Sequence, residues 1–382
     1  MDERPIEPIY AELTDGYRRF VRAEELVYRA AELYPGLAPT RDAVAAEGAR
    51  PLKEKRQLER AQGALLSRVL AHPRAGAHLL QAMLRPTDAA RERLEAFRRD
   101  GALDLGAARV ERRGNVGVVS LHNPRFLNAE DDATVGPLET AIDLVLLDPA
   151  IEVGVLRGDP VEHRRYAGRR VFNAGINLTH LYHGRISFLF YMTRDLGLVN
   201  KLYRGLEGDA FEPDAPEATL EKPWIAAVEA FAIGGGCQLL LAVDHVLAEA
   251  GSFFSLPARK EGIVPGAANL RLPRFVGDRL ARQAIMLERR FEAESPEGRL
   301  LCDEVVPLGG MDEAIGRAAA LLTSSGVVSA ASNRRALRVG QEPRALFQAY
   351  MALYAREQVD CHFSPALVRN LEESWRAHER RP

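Results

Sequence analysis

The spacing of apolar residues changes near residue 110, and this change most constrains the fold. Before it, from about residue 9 to 105, apolar residues recur at helical spacing and prolines separate the segments. After it, short β-branched runs at 115–121 and 153–156 alternate with a segment of helical spacing at 130–147. Short apolar strands separated by helices are typical of buried, largely parallel β-structure. The sequence therefore predicts an all-helical region followed by an α/β core.

The length of the chain indicates more than one structural unit. Its 382 residues exceed the roughly 150 residues of a typical domain. We expect a helical N-terminal region at 1–108, a core at 109–310 and a helical C-terminal region at 311–382. The C-terminal stretch 346–354 is rich in apolar and aromatic residues. This richness favours a subunit or domain interface, or equally a plain core helix.

Composition and charge exclude several classes of protein and partner. With 47% hydrophobic and 27% charged residues, the chain is neither disordered nor collagen-like. A formal net charge of −2 gives no field that attracts nucleic acid or an anionic membrane. No apolar run reaches the about 18 residues of a membrane span, and the first residues do not resemble a signal peptide. Cys237, Cys302 and Cys361 lack zinc spacing, so we expect free thiols in the cytoplasm and no bound metal.

Two glycine-containing turns are candidates for binding an oxygen anion. One turn contains Gly175 and Ile176, and the other contains Gly234, Gly235 and Gly236 at the start of a predicted helix. Consecutive glycines let a ligand approach the backbone closely. The first N–H groups of a helix are unpaired and lie at the positive end of its dipole. One such N–H and a second from the other turn would form an oxyanion hole. Taken alone, the three glycines are also explained by close packing of a helix on a strand.

The order of the motifs resembles that of the crotonase (enoyl-CoA hydratase/isomerase) superfamily along roughly residues 110–310. In chain order the motifs are Val116-Gly-Val-Val-Ser-Leu-His-Asn-Pro124, Leu127-Asn-Ala129, Asp148-Pro149, Ala174-Gly-Ile176, Lys222-Pro223, the three glycines, Pro265-Gly266 and 300–307. The resemblance implies a ClpP-like α/β spiral of ββα turns that binds acyl-CoA thioesters and assembles as homo-oligomers, trimers or hexamers. It also implies that the amides of Ile176 and Gly235 hold the thioester oxygen as an enolate forms.

Two departures from the family pattern argue against hydration of an enoyl-CoA. Hydratases of this family carry a glutamate directly after the three glycines and a cysteine, where this chain has Gln238. Their second glutamate follows a proline, whereas Pro257 is here followed by Ala258. Neither side chain can exchange a proton with a bound water as a carboxylate pair does. The resemblance therefore implies that the enolate is formed and then used in another reaction.

Features around the core resemble one branch of the superfamily more closely. They are the helical N-terminal extension, Gln238, the segment 256–262 and a long insertion between Ile176 and Lys222. The branch consists of cofactor-independent dioxygenases that serve dihydroxyphenylglycine formation for glycopeptide antibiotics. The resemblance implies conversion of 3,5-dihydroxyphenylacetyl-CoA and O2 to 3,5-dihydroxyphenylglyoxylate and CoA, without metal or organic cofactor. Two alternatives stay open: a redox-neutral thioesterase or isomerase, and a non-catalytic CoA-binding subunit.

Three further side chains are candidates for the reaction site, each with a structural alternative. Glu130 is expected to bond a substrate hydroxyl, or to be stabilised by the dipole of the helix that follows it. Arg194 is expected to orient the aromatic diol or the thioester, or to pair with Asp195. Gln238 is expected to position the acyl group or a water, or to bond within its own helix turn.

Arg169 and Arg170 are candidates for binding the phosphates of CoA. They end a basic run that precedes the first glycine turn, where the superfamily places the nucleotide. Guanidinium groups suit phosphate oxygens. A basic loop that is merely solvated explains the same residues equally well.

Overall fold

The computed structural model describes residues 4–48, 50–208, 211, 218–324 and 326–382. The elements of the first third, in chain order, are α1 (Ile6–Leu13), α2 (Ala23–Leu33), α3 (Arg41–Glu47), α4 (Arg60–Ala71), α5 (Pro73–Leu84), α6 (Asp88–Asp100), β1 (Ala102–Asp104), β2 (Ala108–Arg113) and β3 (Val116–Leu121). Those of the middle are α7 (Asp132–Leu147), β4 (Val153–Gly158), α8 (Leu178–Tyr182), α9 (Phe188–Thr193), α10 (Val199–Arg204), β5 (Trp224–Val228), β6 (Phe231–Ile233), α11 (Gly235–Leu240), β7 (His245–Glu249) and β8 (Phe253–Ser255). The remainder are α12 (Ala258–Glu261), α13 (Ala268–Leu287), β9 (Arg290–Glu292), β10 (Glu304–Val306), α14 (Met311–Thr323), α15 (Val327–Gln341), α16 (Arg344–His362) and α17 (Pro365–Trp375).

The core contains a seven-stranded sheet in the order β1-β2-β3-β4-β5-β7-β10. Within this sheet, β3, β4, β5, β7 and β10 pair in parallel. Strands β1 and β2 add an antiparallel edge. A smaller sheet of β6, β8 and β9 lies beside it. Every residue of β4 and β5 is buried, which explains why these strands read as continuous apolar runs. The predicted parallel α/β core is confirmed.

The helices at the two ends of the chain pack on each other. Gln348 of α16 donates from its amide nitrogen to the carbonyl oxygen of Leu70 at 2.9 Å, where α4 ends. Phe347, Met351 and Tyr354 of α16 are buried, and one hydrophobic cluster joins residues of the N-terminal helices, the core and α16. The stretch 346–354 therefore forms an interface within the chain. The division into three units at 108 and 310 stays a prediction.

A membrane span needs a helix that is both long and apolar. Among the residues that the structure describes, no single helix is long and apolar enough to cross a membrane. Helices α14 and α15 meet the length and composition criteria together, as a pair bent by 85°.

A buried carboxylate joins the C-terminal helices to the core. Glu342, between α15 and α16, accepts hydrogen bonds from Arg271 at 2.8 and 2.9 Å and from Arg274 at 2.9 Å. Burial raises the pKa of Glu342, but the charge and hydrogen bonds of Arg271 and the charges of Arg204 and Arg274 outweigh it and lower the pKa to about 2. The ionised carboxylate is therefore part of the folded state.

We expect Glu342→Gln to lower the free energy of unfolding by about 3 kcal/mol, because it leaves buried guanidinium groups without their anion. Urea unfolding at neutral pH measures this difference. Because the folded-state pKa is lowered, the difference should shrink as the pH falls from about 4 toward 2. The control is Asp278→Asn, which removes an exposed pair with Arg282 and should change stability by less than about 0.5 kcal/mol. Equal effects of the two variants would contradict the structural role of Glu342.

Candidate functional site

The loop that carries Ile176 is fixed by two main-chain hydrogen bonds to one residue. The N–H of Glu130 donates to the carbonyl of Gly175 at 2.7 Å, and the carbonyl of Glu130 accepts from the N–H of Asn177 at 2.7 Å. Because the residues on either side of Ile176 make these bonds, Glu130 and Ile176 form a parallel β-bridge. In such a bridge the N–H of the middle residue points away from its partner. The amide of Ile176 is therefore turned away from Glu130.

The same loop lies directly against the turn of three glycines. The carbonyl of Asn173 accepts from the N–H of Ile233 at 3.0 Å, at the end of β6. Gly175 approaches the turn so closely that a Cβ atom placed on it would lie 3.1 Å from the nitrogen of Gly235. Among the described residues, neither the N–H of Ile176 nor that of Gly235 has a hydrogen-bond acceptor. Two unpaired amides thus lie on facing loops, as an oxyanion hole requires.

Close packing also constrains the three glycines. A Cβ atom on Gly235 would lie 3.0 Å from Nη2 of Arg194, and one on Gly236 would lie 2.7 Å from the carbonyl oxygen of Asn173. Gly234 has a φ of 52°, in the left-handed region that favours glycine. The packing explanation considered from the sequence therefore applies, and the role of the Gly235 amide in binding an oxygen anion stays a prediction.

Arg194 projects from an irregular turn inside a longer helix. Helices α9 and α10 are joined without a break by a π-helical turn, Arg194–Leu198. A π-turn inserts an extra residue into a helix, changes the direction of the side chains around it, and is often found at functional sites. In this chain the turn aims the guanidinium group of Arg194 at the glycine turn.

All five N–H donors of Arg194 have acceptors. Nε and Nη2 pair with the carboxylate of Glu130, Nη1 donates to Oε1 of Gln238 at 2.7 Å and to Asp195 at 3.2 Å, and Nη2 donates to the carbonyl of Gly235 at 2.9 Å. Burial lowers the pKa of the guanidinium, but the charge and hydrogen bonds of Glu130 outweigh it and raise the pKa above its usual range. The structure thus brings together Glu130, Arg194 and Gln238 around Gly235.

Asn173 links this charged cluster to the loop of Ile176. Its amide nitrogen donates to Oε1 of Glu130 at 2.9 Å, and its amide oxygen accepts from the N–H of Gly175 at 2.6 Å. Asp131 caps helix α7, so Glu130 lies before the helix and is stabilised by Arg194 and Asn173. The cluster therefore fixes the backbone on both sides of the proposed oxyanion hole.

Ile176 lines two spaces, a large cavity and a small chamber. On the outer side is a cavity of about 840 Å³, within the roughly 300–1,000 Å³ of typical ligand sites. On the inner side is a chamber of about 20 Å³, lined by Glu130, Ile176, Phe190, Tyr191, Arg194, Asp195, Gly235, Gln238, Ile263, Val264, Gly266 and Tyr354. The chamber holds about one molecule the size of water. A phenyl ring enters it only if the surrounding side chains move.

The two arginines predicted to bind CoA do not line the outer cavity. Arg169 pairs with Glu249 at 2.9 Å, and Arg170 pairs with Asp159 at 3.2 Å. Their role in binding CoA stays a prediction. The basic side chains that line the cavity are those of Arg125, Lys260, Arg290, Arg380 and Arg381.

Sequence reasoning missed four residues of the site. Asn173 stands in the first glycine-containing loop, so its position was a usable signal. Asp195 was considered only as a partner of Arg194, yet it also bonds Tyr354, and burial raises its pKa. Tyr354 comes from α16, and no local pattern connects that helix with the glycine turns. Glu261 lines the outer cavity, three residues after Ala258, the position where hydratases carry their second glutamate.

Comparison with known proteins decides the family. A family model described as enoyl-CoA hydratase/isomerase matches residues 111–353. The (3,5-dihydroxyphenyl)acetyl-CoA 1,2-dioxygenase of Amycolatopsis orientalis is 49% identical over 357 residues, which cover 93% of this chain and 81% of that protein. The chain belongs to the enoyl-CoA hydratase/isomerase family. The resemblance identified from the motifs is confirmed.

Hydratases of this family match a smaller part of the chain. A short-chain-enoyl-CoA hydratase of Clostridium acetobutylicum is 27% identical and covers 63% of this chain and 84% of its own length. The crystal structure of an enoyl-CoA hydratase from Mycobacterium avium subsp. paratuberculosis matches with a TM-score of 0.57 and 21% identity, over 70% of this chain and 98% of that one. The fold of the family is thus confirmed, and the dioxygenase match extends over more of the chain.

We expect Gly235→Ala to reduce acyl-CoA turnover by about 100-fold, because the added methyl group must displace Arg194 and shift the amide by a fraction of an ångström. The measurement is kcat/KM for the thioester substrate proposed below. Gly136→Ala is the matched control, since a Cβ atom there meets nothing within 4 Å, and alanine is favoured in a helix. Full activity of Gly235→Ala would contradict the proposed position of this amide.

Proposed function

We propose that this protein is a dioxygenase that converts (3,5-dihydroxyphenyl)acetyl-CoA and O2 to 3,5-dihydroxyphenylglyoxylate and CoA without a metal or organic cofactor. The observation that carries the proposal is the 49% identity over 93% of the chain with an enzyme of that activity. The site supports it, because the unpaired amides of Ile176 and Gly235 lie on adjacent loops, while Gln238 and Ala258 replace the carboxylates of a hydratase.

The outer cavity is the proposed site of the CoA portion. Its volume suits a large ligand, and its basic side chains suit phosphate groups. Because Ile176 lines both this cavity and the inner chamber, a thioester at Ile176 would have its CoA portion outside and its acyl portion toward Gly235. In this proposed arrangement, the carbonyl oxygen would lie between the two amides.

The proposed first step is removal of an α-proton from the substrate. The C–H electron pair moves into the α-carbon and carbonyl group, and the resulting enolate oxygen accepts hydrogen bonds from Ile176 and Gly235. Each such donor contributes about 3–4 kcal/mol at the transition state. The aryl group and the thioester both stabilise the carbanion, so no metal is needed to form it.

The proposed second step is reaction of the enolate with O2. The enolate transfers one electron to O2, and the two radicals combine at the α-carbon to give a peroxide anion. The peroxide then attacks the thioester carbonyl and expels the CoA thiolate. When the remaining α-proton leaves, the C–H electron pair forms the ketone and the O–O bond breaks, which yields the arylglyoxylate. One oxygen atom of O2 is then in the ketone and the other is in the carboxylate. Carbon, hydrogen and oxygen balance without water.

The side chains of Glu130, Arg194 and Gln238 form a polar surface of the inner chamber. The amide of Gln238 is held by Arg194 at 2.7 Å, so its carbonyl oxygen is not available to a ligand without loss of that bond. Glu130 and Arg194 line the inner chamber, and we propose that they contact the ring hydroxyls once the chamber widens. The apolar side chains of Phe190, Ile263 and Val264 line the same chamber and suit O2.

We further propose that the enzyme is a cytoplasmic homo-oligomer of antibiotic biosynthesis. Its cysteines are free, which fits a reducing compartment. Large apolar side chains of the C-terminal half are exposed, namely Leu308, Leu321, Val328, Leu337 and Val339. Exposed apolar surface of this kind is typical of subunit contacts.

Incubation with 18O2 tests the proposed reaction. We expect mass spectrometry to find two 18O atoms in the arylglyoxylate, because both atoms of one O2 molecule enter the product. In the absence of O2, the thioester should persist without release of CoA. Anaerobic release of CoA with formation of the arylacetate would instead indicate a thioesterase, and binding without any conversion in air would indicate a non-catalytic subunit.

A further inference from the structure

The reaction needs a base, and neither hydratase carboxylate position can supply one. Gln238 carries an amide, whose oxygen bonds Arg194, and Ala258 carries a methyl group. Glu130 is paired with Arg194 and with Asn173. Asp195 bonds Arg194 and Tyr354. The carboxylates of Glu130 and Asp195 are therefore already bound by neighbouring side chains.

Glu261 is a carboxylate that lines the outer cavity. It ends the short helix α12, which begins at Ala258. Residues three apart lie on one face of a helix, so Glu261 lies on the face where hydratases carry their second glutamate, about one turn further along. Its side chain is half-buried and lines the outer cavity together with Ile176 and Ile233.

The carboxylate of Glu261 faces the glycine turn. A Cβ atom placed on Gly234 would lie 3.5 and 3.6 Å from its two oxygens, which places it next to the residue that precedes the Gly235 amide. Burial raises the pKa of Tyr191, and the negative charges of Asp132, Glu59 and Glu261 raise it further. Tyr191 lines the inner chamber, so the charge of Glu261 acts on a side chain of that chamber.

The carboxylate of Glu261 has no hydrogen bond or ion pair among the residues that the structure describes, whereas its backbone N–H donates to the carbonyl of Pro257 at 3.0 Å. Its neighbour Lys260 pairs instead with Glu288 at 3.2 Å. Burial raises the pKa of Glu261 to about 8, and only the charge of Lys260 acts in the opposite direction. A carboxylate with a pKa near 8 is a stronger base than an ordinary one and is still ionised in part at neutral pH. Its unpaired oxygens are open to the cavity.

We propose that Glu261 is the base that removes the α-proton of the bound aryl-acetyl thioester. This inference rests on the proposed function, since it assigns the first step of that reaction. The α C–H bond breaks, its electron pair passes into the enolate held by Ile176 and Gly235, and Glu261 becomes a neutral carboxylic acid. Because Glu261 lies on the cavity side of the amides, it can pass this proton to the CoA thiolate that leaves.

The test compares Glu261→Gln with the wild-type enzyme in D2O without O2. Exchange of the α-hydrogens of the substrate is followed by mass spectrometry, so the proton transfer is measured apart from oxygenation. We expect Glu261→Gln to slow exchange by about 100-fold or more and to lower kcat/KM in air by a similar factor. Affinity for an analogue in which an amide replaces the thioester should stay within about twofold, which shows that the variant is folded. Glu313→Gln, at an exposed position, is the matched control and should exchange at the wild-type rate.

Two further measurements separate a base from a structural residue. The kcat/KM of the wild-type enzyme should rise about tenfold per pH unit below pH 8 and level off above it, and this rise should disappear in Glu261→Gln. The other ionisable groups facing this position are Lys260 on its own helix, Tyr191 on α9, and Glu288 and Arg290 across the cavity. Added formate should restore part of the exchange in Glu261→Ala, because a small carboxylate can occupy the vacated position.

The outcomes distinguish this inference from the proposed function. Wild-type exchange rates or an unchanged pH profile in Glu261→Gln, with 18O2 still incorporated by the wild-type enzyme, would overturn the role of Glu261 alone. A wild-type enzyme that neither exchanges the α-hydrogens nor consumes O2 would overturn the proposed function itself. Loss of exchange in Glu261→Gln with intact binding supports the assignment.

Discussion

The two hydrogen bonds between the main chain of Glu130 and the residues on either side of Ile176 are the constraint on which the site depends. They turn the Ile176 amide away from the start of α7, in a loop that lies against the glycine turn. The side chain of the same residue, Glu130, pairs with Arg194, which in turn binds the carbonyl of Gly235. One residue therefore positions both loops, the first through its backbone and the second through its carboxylate.

This arrangement explains why a family of hydratases can contain a chain with a different reaction. The fold supplies the two amides through backbone geometry, which does not depend on the identity of the neighbouring acids. The side chains decide what happens to the enolate that we propose those amides stabilise. In this chain Arg194 and its hydrogen-bond partners occupy one side of the site. Glu261 lines the cavity, and its carboxylate has no partner among the residues that the structure describes.

Much of the fold could be predicted because its signals are local. The apolar runs that became β4 and β5 are buried on both faces, so they appear in the sequence as uninterrupted hydrophobic segments. Strands β6, β8, β9 and β10 have three residues each, which is too short for a detectable period. The glycine turns were found from their own composition and from the order of the motifs around them.

The side-chain network could not be predicted, because it joins residues that are distant in sequence. Arg194 and Glu130 are separated by 64 positions, and Tyr354 reaches the site from a helix that the sequence indicated either as an interface or as a plain core helix. The π-turn that aims Arg194 has no sequence signature, since it arises from the packing around it. Glu261 stands three residues after Ala258 in the sequence, but only the structure shows that it lines the cavity and that its carboxylate has no partner among the described residues.

We propose that the Ile176 and Gly235 amides share one oxygen atom of the substrate. A crystal structure with the amide analogue of (3,5-dihydroxyphenyl)acetyl-CoA tests this arrangement. We expect the carbonyl oxygen of the analogue to lie about 2.7–3.1 Å from both nitrogens. A carbonyl oxygen bound by Arg194, or by only one of the two amides, would contradict it.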